Sequence, residues 1–92
     1  MAVGISPKVI TIATAGTPTQ VDSSTERTER MNILNPFSNT GVVYFGASSS
    51  MDATTRRRLE RGEAFDLFNV VPANIYVDVA VNNESVEVVF YI

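Results

Sequence analysis

The sequence has no cysteine, no histidine and no tryptophan, and Lys8 is its sole lysine. Whole classes of chemistry go with them. Without histidine and cysteine the usual general base, the commonest zinc ligands and the thiolate nucleophile are all missing. Serine-based hydrolysis would then need Lys8 as its base, but Lys8 opens a predicted strand far in sequence from the serines of "ASSSMD". No calcium-loop pattern of alternating oxygen ligands is present, and Gly41, Gly46 and Gly62 stand singly at strand ends rather than in a phosphate-cradling motif. No cofactor and no catalytic residue are expected.

The absence of cysteine also means that no disulfide braces the chain. A domain of 92 residues buries only about 60–65% of its unfolded surface on folding. Its stability must come from an apolar core, from self-association or from docking to a larger body.

Charge and hydropathy exclude more. A net charge of -3 argues against a general polyanion-binding surface. Up to Ser50 the charges cancel, whereas beyond Arg61 every charged residue is acidic: Glu63, Asp66, Asp78, Glu84 and Glu87. No run reaches the roughly 20 apolar residues that span a bilayer. The opening "MAVGISPKVITIA" lacks the basic region of a secretory signal. A soluble, unprocessed chain without a membrane partner is expected.

What is present is strand pattern. In "NIYVDVAV" Ile75, Val77, Val79 and Val81 share one parity, and in "VEVVFYI" Val86, Val88, Phe90 and Ile92 do the same. Period-two alternation of this kind marks half-buried strands, with "NNES" between them as the turn of a tight hairpin and Asn82 and Asn83 able to take positive φ. Asp78 and Glu87 fall in the opposite phase and are expected to face water. "EAFDLF" reads as a strand with Phe65 and Leu67 on one face and Asp66 on the other; "GVVYFG", "RMNIL" and "KVITIA" add further strands. "GTPTQV" is a possible return beside the first strand, and its Pro18 favours an edge. Six or seven short strands with regular turns predict an all-β fold: a small antiparallel β-sandwich, jelly-roll-like or immunoglobulin-like, in one domain over residues 1–92.

One segment resists the pattern. "TTRRRLERGEAFDL" concentrates Arg56, Arg57, Arg58 and Arg61 ahead of Gly62. Asp52 and Gly62 bracket it like the ends of a short helix, yet only Met51 and Leu59 offer a core face, so a polar loop or ragged strand is the stronger expectation. A nucleic-acid site would carry interleaved aromatics or more basic residues, and this segment carries Glu60 and Glu63 instead. Arginine is enriched at protein interfaces, so these four residues are the candidate protein-contact site. Asp66 and Asp78, the one conceivable carboxylate pair, read as solvated, and the "NES" triplet at Asn83 reads as turn chemistry.

The stretches "NTGVVYFG", "LERGEAFDL" and "IYVDVAVNNESVEVVFYI", at residues 39–46, 59–67 and 75–92, form a pattern that resembles small structural proteins of tailed bacteriophages. "VITIATAGTPTQV" is similar to the opening strands of such proteins. The resemblance implies a β-sandwich and a place in the virion, assembled in the bacterial host cytoplasm. The role it favours is a homo-oligomeric capsid decoration (cement) subunit bound to the outer shell of the head, with the major capsid protein or another virion protein as partner. The alternative is a fibre or surface recognition module that binds a host receptor or glycan through Tyr44, Tyr76 and Tyr91.

Overall fold

The two alternating C-terminal segments both form strands, but they lie in opposite sheets. The computed structural model describes residues 5–52 and 54–91. Along the chain run β1 (Ile5–Ile12), β2 (Thr19–Gln20), β3 (Thr28–Leu34), β4 (Val43–Gly46), β5 (Arg57–Leu59), β6 (Ala64–Val70), β7 (Tyr76–Val79) and β8 (Glu84–Tyr91), with a 3-10 turn at Pro72–Asn74. One sheet has the order β1-β8-β3-β6 and the other β2-β7-β4-β5. All neighbours are antiparallel.

The pairing has a simple origin. β1 pairs with β8, β2 with β7, β3 with β6 and β4 with β5, so the chain is one long antiparallel hairpin whose tip is the connection between β4 and β5. Wrapping that hairpin on itself adds β3 to β8 and β4 to β7. This is the order of a jelly roll and not of an immunoglobulin domain. Eight strands are present among the described residues, and the one beyond the expected seven is β5, inside the arginine run.

The core forms where the inward phases of the two sheets meet. Met31, Ile33, Val43, Val77, Val86 and Val88 are each 0% exposed and Val79 is 1% exposed. Side chains of this size each contribute about 1.5–3 kcal/mol when fully buried. Val77, Val79, Val88 and Phe90 are buried as their parity predicts; Ile92 lies outside the described residues. Phe65 and Leu67 pack against the core from β6.

Two expectations need correction. The turn at residues 80–83 is not a hairpin within a sheet but an arch between sheets, because β7 and β8 find their hydrogen-bonding partners elsewhere. Asn83 does take a positive φ of 66° there. Asp78 does not face water: it is 3% exposed, and its Oδ1 accepts hydrogen bonds from Gly16 N at 3.1 Å and Val79 N at 2.8 Å. The β1–β2 connection folds over the outer side of β7 and covers it, which strand parity cannot show. Among the described residues the arginine segment is turn and strand, as the stronger expectation had it, and not a short helix. Asp52 closes a single turn, its C=O accepting from Thr55 N and Arg56 N, and the chain then enters β5.

Pro18 immediately precedes β2, and β2 is an edge strand as expected. Among the described residues no helix is long and apolar enough to cross a membrane.

Candidate functional site

β5 is held by register. Leu59 lies opposite Val43, Arg58 opposite Tyr44 and Arg57 opposite Phe45, so Leu59 takes the inward phase and is 6% exposed. Gly62 ends the segment at φ +85°, a conformation that favours glycine. The Phe37 ring lies directly over Gly62, where an added Cβ would come within 2.6 Å of Phe37 Cζ. Met51 is also buried, against Gly46.

The four arginines divide into two kinds. The Arg56 guanidinium stacks on the Tyr44 ring at 3.6 Å from its centre. Arg58 donates to Glu60 Oε1 at 2.7 Å from Nη2 and 3.2 Å from Nε. Arg57 and Arg61 are exposed and form no ion pair among the described residues. Within the subunit only Arg58 of the four pairs with a carboxylate among the described residues. Glu63, the remaining acid of the segment, accepts from Glu60 N at 2.7 Å.

On the outer face of the other sheet, Asp66 receives Arg30 Nε at 3.1 Å, Arg30 Nη2 at 3.0 Å and Asn32 Nδ2 at 2.9 Å. The Arg30 and Asn32 donors hold the Asp66 carboxyl below the usual carboxylate range. Arg30 also lies over Tyr91 at 4.4 Å. Asp66 and Asp78 belong to opposite sheets, so no acid–base carboxylate pair forms. Nor does a serine–lysine arrangement: Lys8 Nζ donates to Val21 O at 2.8 Å and reaches Asp22 at 3.4 Å, while Ser48 and Ser50 bond to each other in an exposed turn.

Sequence reasoning missed two polar clusters. Asn35 and Asn39 join the β3–β4 connection to the carbonyls of Gly41, Leu59 and Ser85. Glu84 accepts from Thr40 N at 2.6 Å, Thr40 Oγ1 at 3.0 Å and Gly41 N at 2.9 Å. Both lay in strings that read only as turns, "NPFSNTG" and "NNES", and their long sequence separation hid the partners. At the other end of the sandwich a cleft of about 210 Å³ is lined by Asp22, Glu26, Arg27, Thr28 and Phe90 among others. No three potential metal ligands converge among the described residues.

No protein-family model, no curated protein and no solved structure matches this chain.

Proposed function

We propose that the chain is a structural virion protein, a decoration subunit that assembles as a homo-oligomer on the outer shell of a bacteriophage head. The observation that carries this reading is the strand order: jelly rolls are a recurrent architecture of viral capsid and lectin domains. A fold hosts many functions, and the choice among them comes from the resemblance of residues 39–46, 59–67 and 75–92 to tailed-phage structural proteins. Arg57 and Arg61, exposed and without a carboxylate partner among the described residues, suit contact with an acidic protein surface.

The glycan-binding alternative draws less support from the same structure. Tyr44 and Tyr91 each have a guanidinium stacked on the ring, which occupies a face that a sugar would use.

The test is co-sedimentation with purified expanded bacteriophage heads. Saturable binding at micromolar concentration is expected. Absence of binding to such shells overturns the decoration reading.

A further inference from the structure

An open sandwich exposes strand edges, whose unpaired N–H and C=O groups attract another chain unless something blunts them. Among the described residues there are four such edges, β1, β6, β2 and β5. Three are blunted. β1 contains Pro7, which has no N–H, and Lys8, which takes the inward phase opposite Val88 and reaches across to the carbonyl of Val21, just past β2. β2 is two residues long and β5 three.

β6 is different. It runs for seven residues, "AFDLFNV", with no proline, lysine or arginine, and pairs with β3 alone. Its one acid, Asp66, is already bound by Arg30. Phe68 points outward and is 66% exposed. Asn69, at φ 56°, bends the end of the strand and its carbonyl accepts from Arg27, which leaves residues 64–68 as the regular open run.

The unpaired arginines lie on the same flank. β5 and β6 are joined by the short turn through Arg61 and Gly62, and Phe45 of β4 stacks on Phe65 of β6 with ring centres 5.2 Å apart. Arg57, opposite Phe45 and in phase with Leu59, faces the other sheet yet is exposed, because the sandwich is open there.

We propose that this flank docks an extended acidic segment of a partner protein, added to β6 as a fifth strand with its carboxylates against Arg57 and Arg61. Strand addition supplies main-chain hydrogen bonds for affinity and alternate side chains for selection. Here one phase of the incoming strand meets Arg57 and the other meets Phe68, so the segment that fits alternates acidic and apolar residues. A second copy fits less well: β6 against β6 brings two sets of Arg57 and Arg61 together, and every other edge among the described residues is blunted.

A labelled heptapeptide of alternating valine and glutamate tests this by fluorescence anisotropy at low ionic strength. Saturable binding is expected, weaker by about tenfold or more in Arg57→Glu/Arg61→Glu at an unchanged melting temperature. Methylating alternate peptide amides should abolish binding in one phase and spare it in the other, since only every second N–H of an added strand faces β6. Amide exchange should slow within residues 64–68. Equal binding of a valine–lysine peptide, equal tolerance of both methylation phases, or no saturation at millimolar peptide overturns the proposal. So does a self-associated form that Phe68→Lys dissolves, which would make a second copy the occupant. Shell co-sedimentation is a separate measurement, so loss of the virion reading leaves this one standing or falling by itself.

Discussion

Asn39 donates from Nδ2 to Asn35 Oδ1 across 2.8 Å, with the two residues 4% and 0% exposed. Asn35 in turn donates to the carbonyls of Gly41 and Leu59, both at 3.0 Å, and its backbone exchanges hydrogen bonds with Gly62 and Glu63. One side chain thus ties the β3–β4 connection to the end of the arginine segment. Asn35→Ala leaves several buried partners unpaired, each costing about 1–3 kcal/mol. A loss of at least about 2 kcal/mol in urea denaturation is expected. Asn35→Asp keeps the shape, loses both donations and should also destabilise; unchanged midpoints for the pair would show that the network does not hold this end together.

Phe90 tests the core. It is 8% exposed, pairs in register with Met31 and lines the cleft at the open end. Phe90→Ala should cost about 3–5 kcal/mol, a large share of the 5–15 kcal/mol typical of a whole domain. Thermal unfolding by circular dichroism reads this directly, and an unshifted melting curve would contradict the inward assignment of β8.

Parity made the faces of β7 and β8 legible because the pattern of Val77, Val79, Val88 and Phe90 depends only on period two. It did not make their partners legible. Two strands that each bury one face look the same whether they share a sheet or oppose each other across a core, so the 80–83 turn read as a hairpin and is an arch. Asp78 shows the second limit: its phase is outward, but Gly16 arrives from another part of the chain and buries it. β5 shows a third, since three residues paired to Val43, Tyr44 and Phe45 are too few to carry a pattern. Of the candidate site, the exposure of Arg57 and Arg61 and the inward turn of Leu59 were readable locally. The stacking of Arg56 on Tyr44 was not, because it depends on that pairing.

Asp78 supplies a prediction of its own. Its Oδ1 satisfies Gly16 N and Val79 N in a buried setting, so Asp78→Ala should lower stability by about 1–3 kcal/mol and loosen the β1–β2 connection. Faster amide exchange at Gly16 than at Ile10 or Ile12 in the variant is the expected signature. Exchange that stays as slow as in the parent at Gly16 would mean that the connection is held by something else.

Acid should weaken the fold. Burial pushes the Glu84 carboxyl up, but donation from Thr40 and Gly41 outweighs this and leaves it below its ordinary value of 4.5. Asp66 is lowered by Arg30 and then Asn32, Asp22 chiefly by the Ser24 amide, and Asp52 chiefly by the Thr54 hydroxyl. A carboxylate whose pKa is depressed on folding contributes stability that is complete above its unfolded pKa and is lost as pH falls through the folded one. The melting temperature should therefore be level above about pH 5 and decline below about pH 4. Glu84→Gln should lower stability at neutral pH and flatten part of that acid decline; an identical acid profile in the variant would remove Glu84 from the account.

The arginine run gives the sharpest division between protein and nucleic-acid contact. On β5 consecutive side chains alternate: Arg56 and Arg58 flank Tyr44 on the outer face of their sheet, while Arg57 turns to the open flank. A phosphate backbone cannot meet all three from one side, and Glu60 already takes Arg58. Changing Arg56, Arg57 and Arg58 together to serine should leave the fold intact. The lost stacking is worth about 0.5–1 kcal/mol at an exposed site, and the exposed Arg58–Glu60 pair about 0.2–1 kcal/mol. The parent should show negligible DNA affinity, and both shell binding and the self-association expected of the parent in sedimentation should be lost in the variant. Strong parental DNA binding that falls steeply with salt and vanishes in the variant would reverse the assignment, because counterion release on that scale requires the arginines to sit on phosphates.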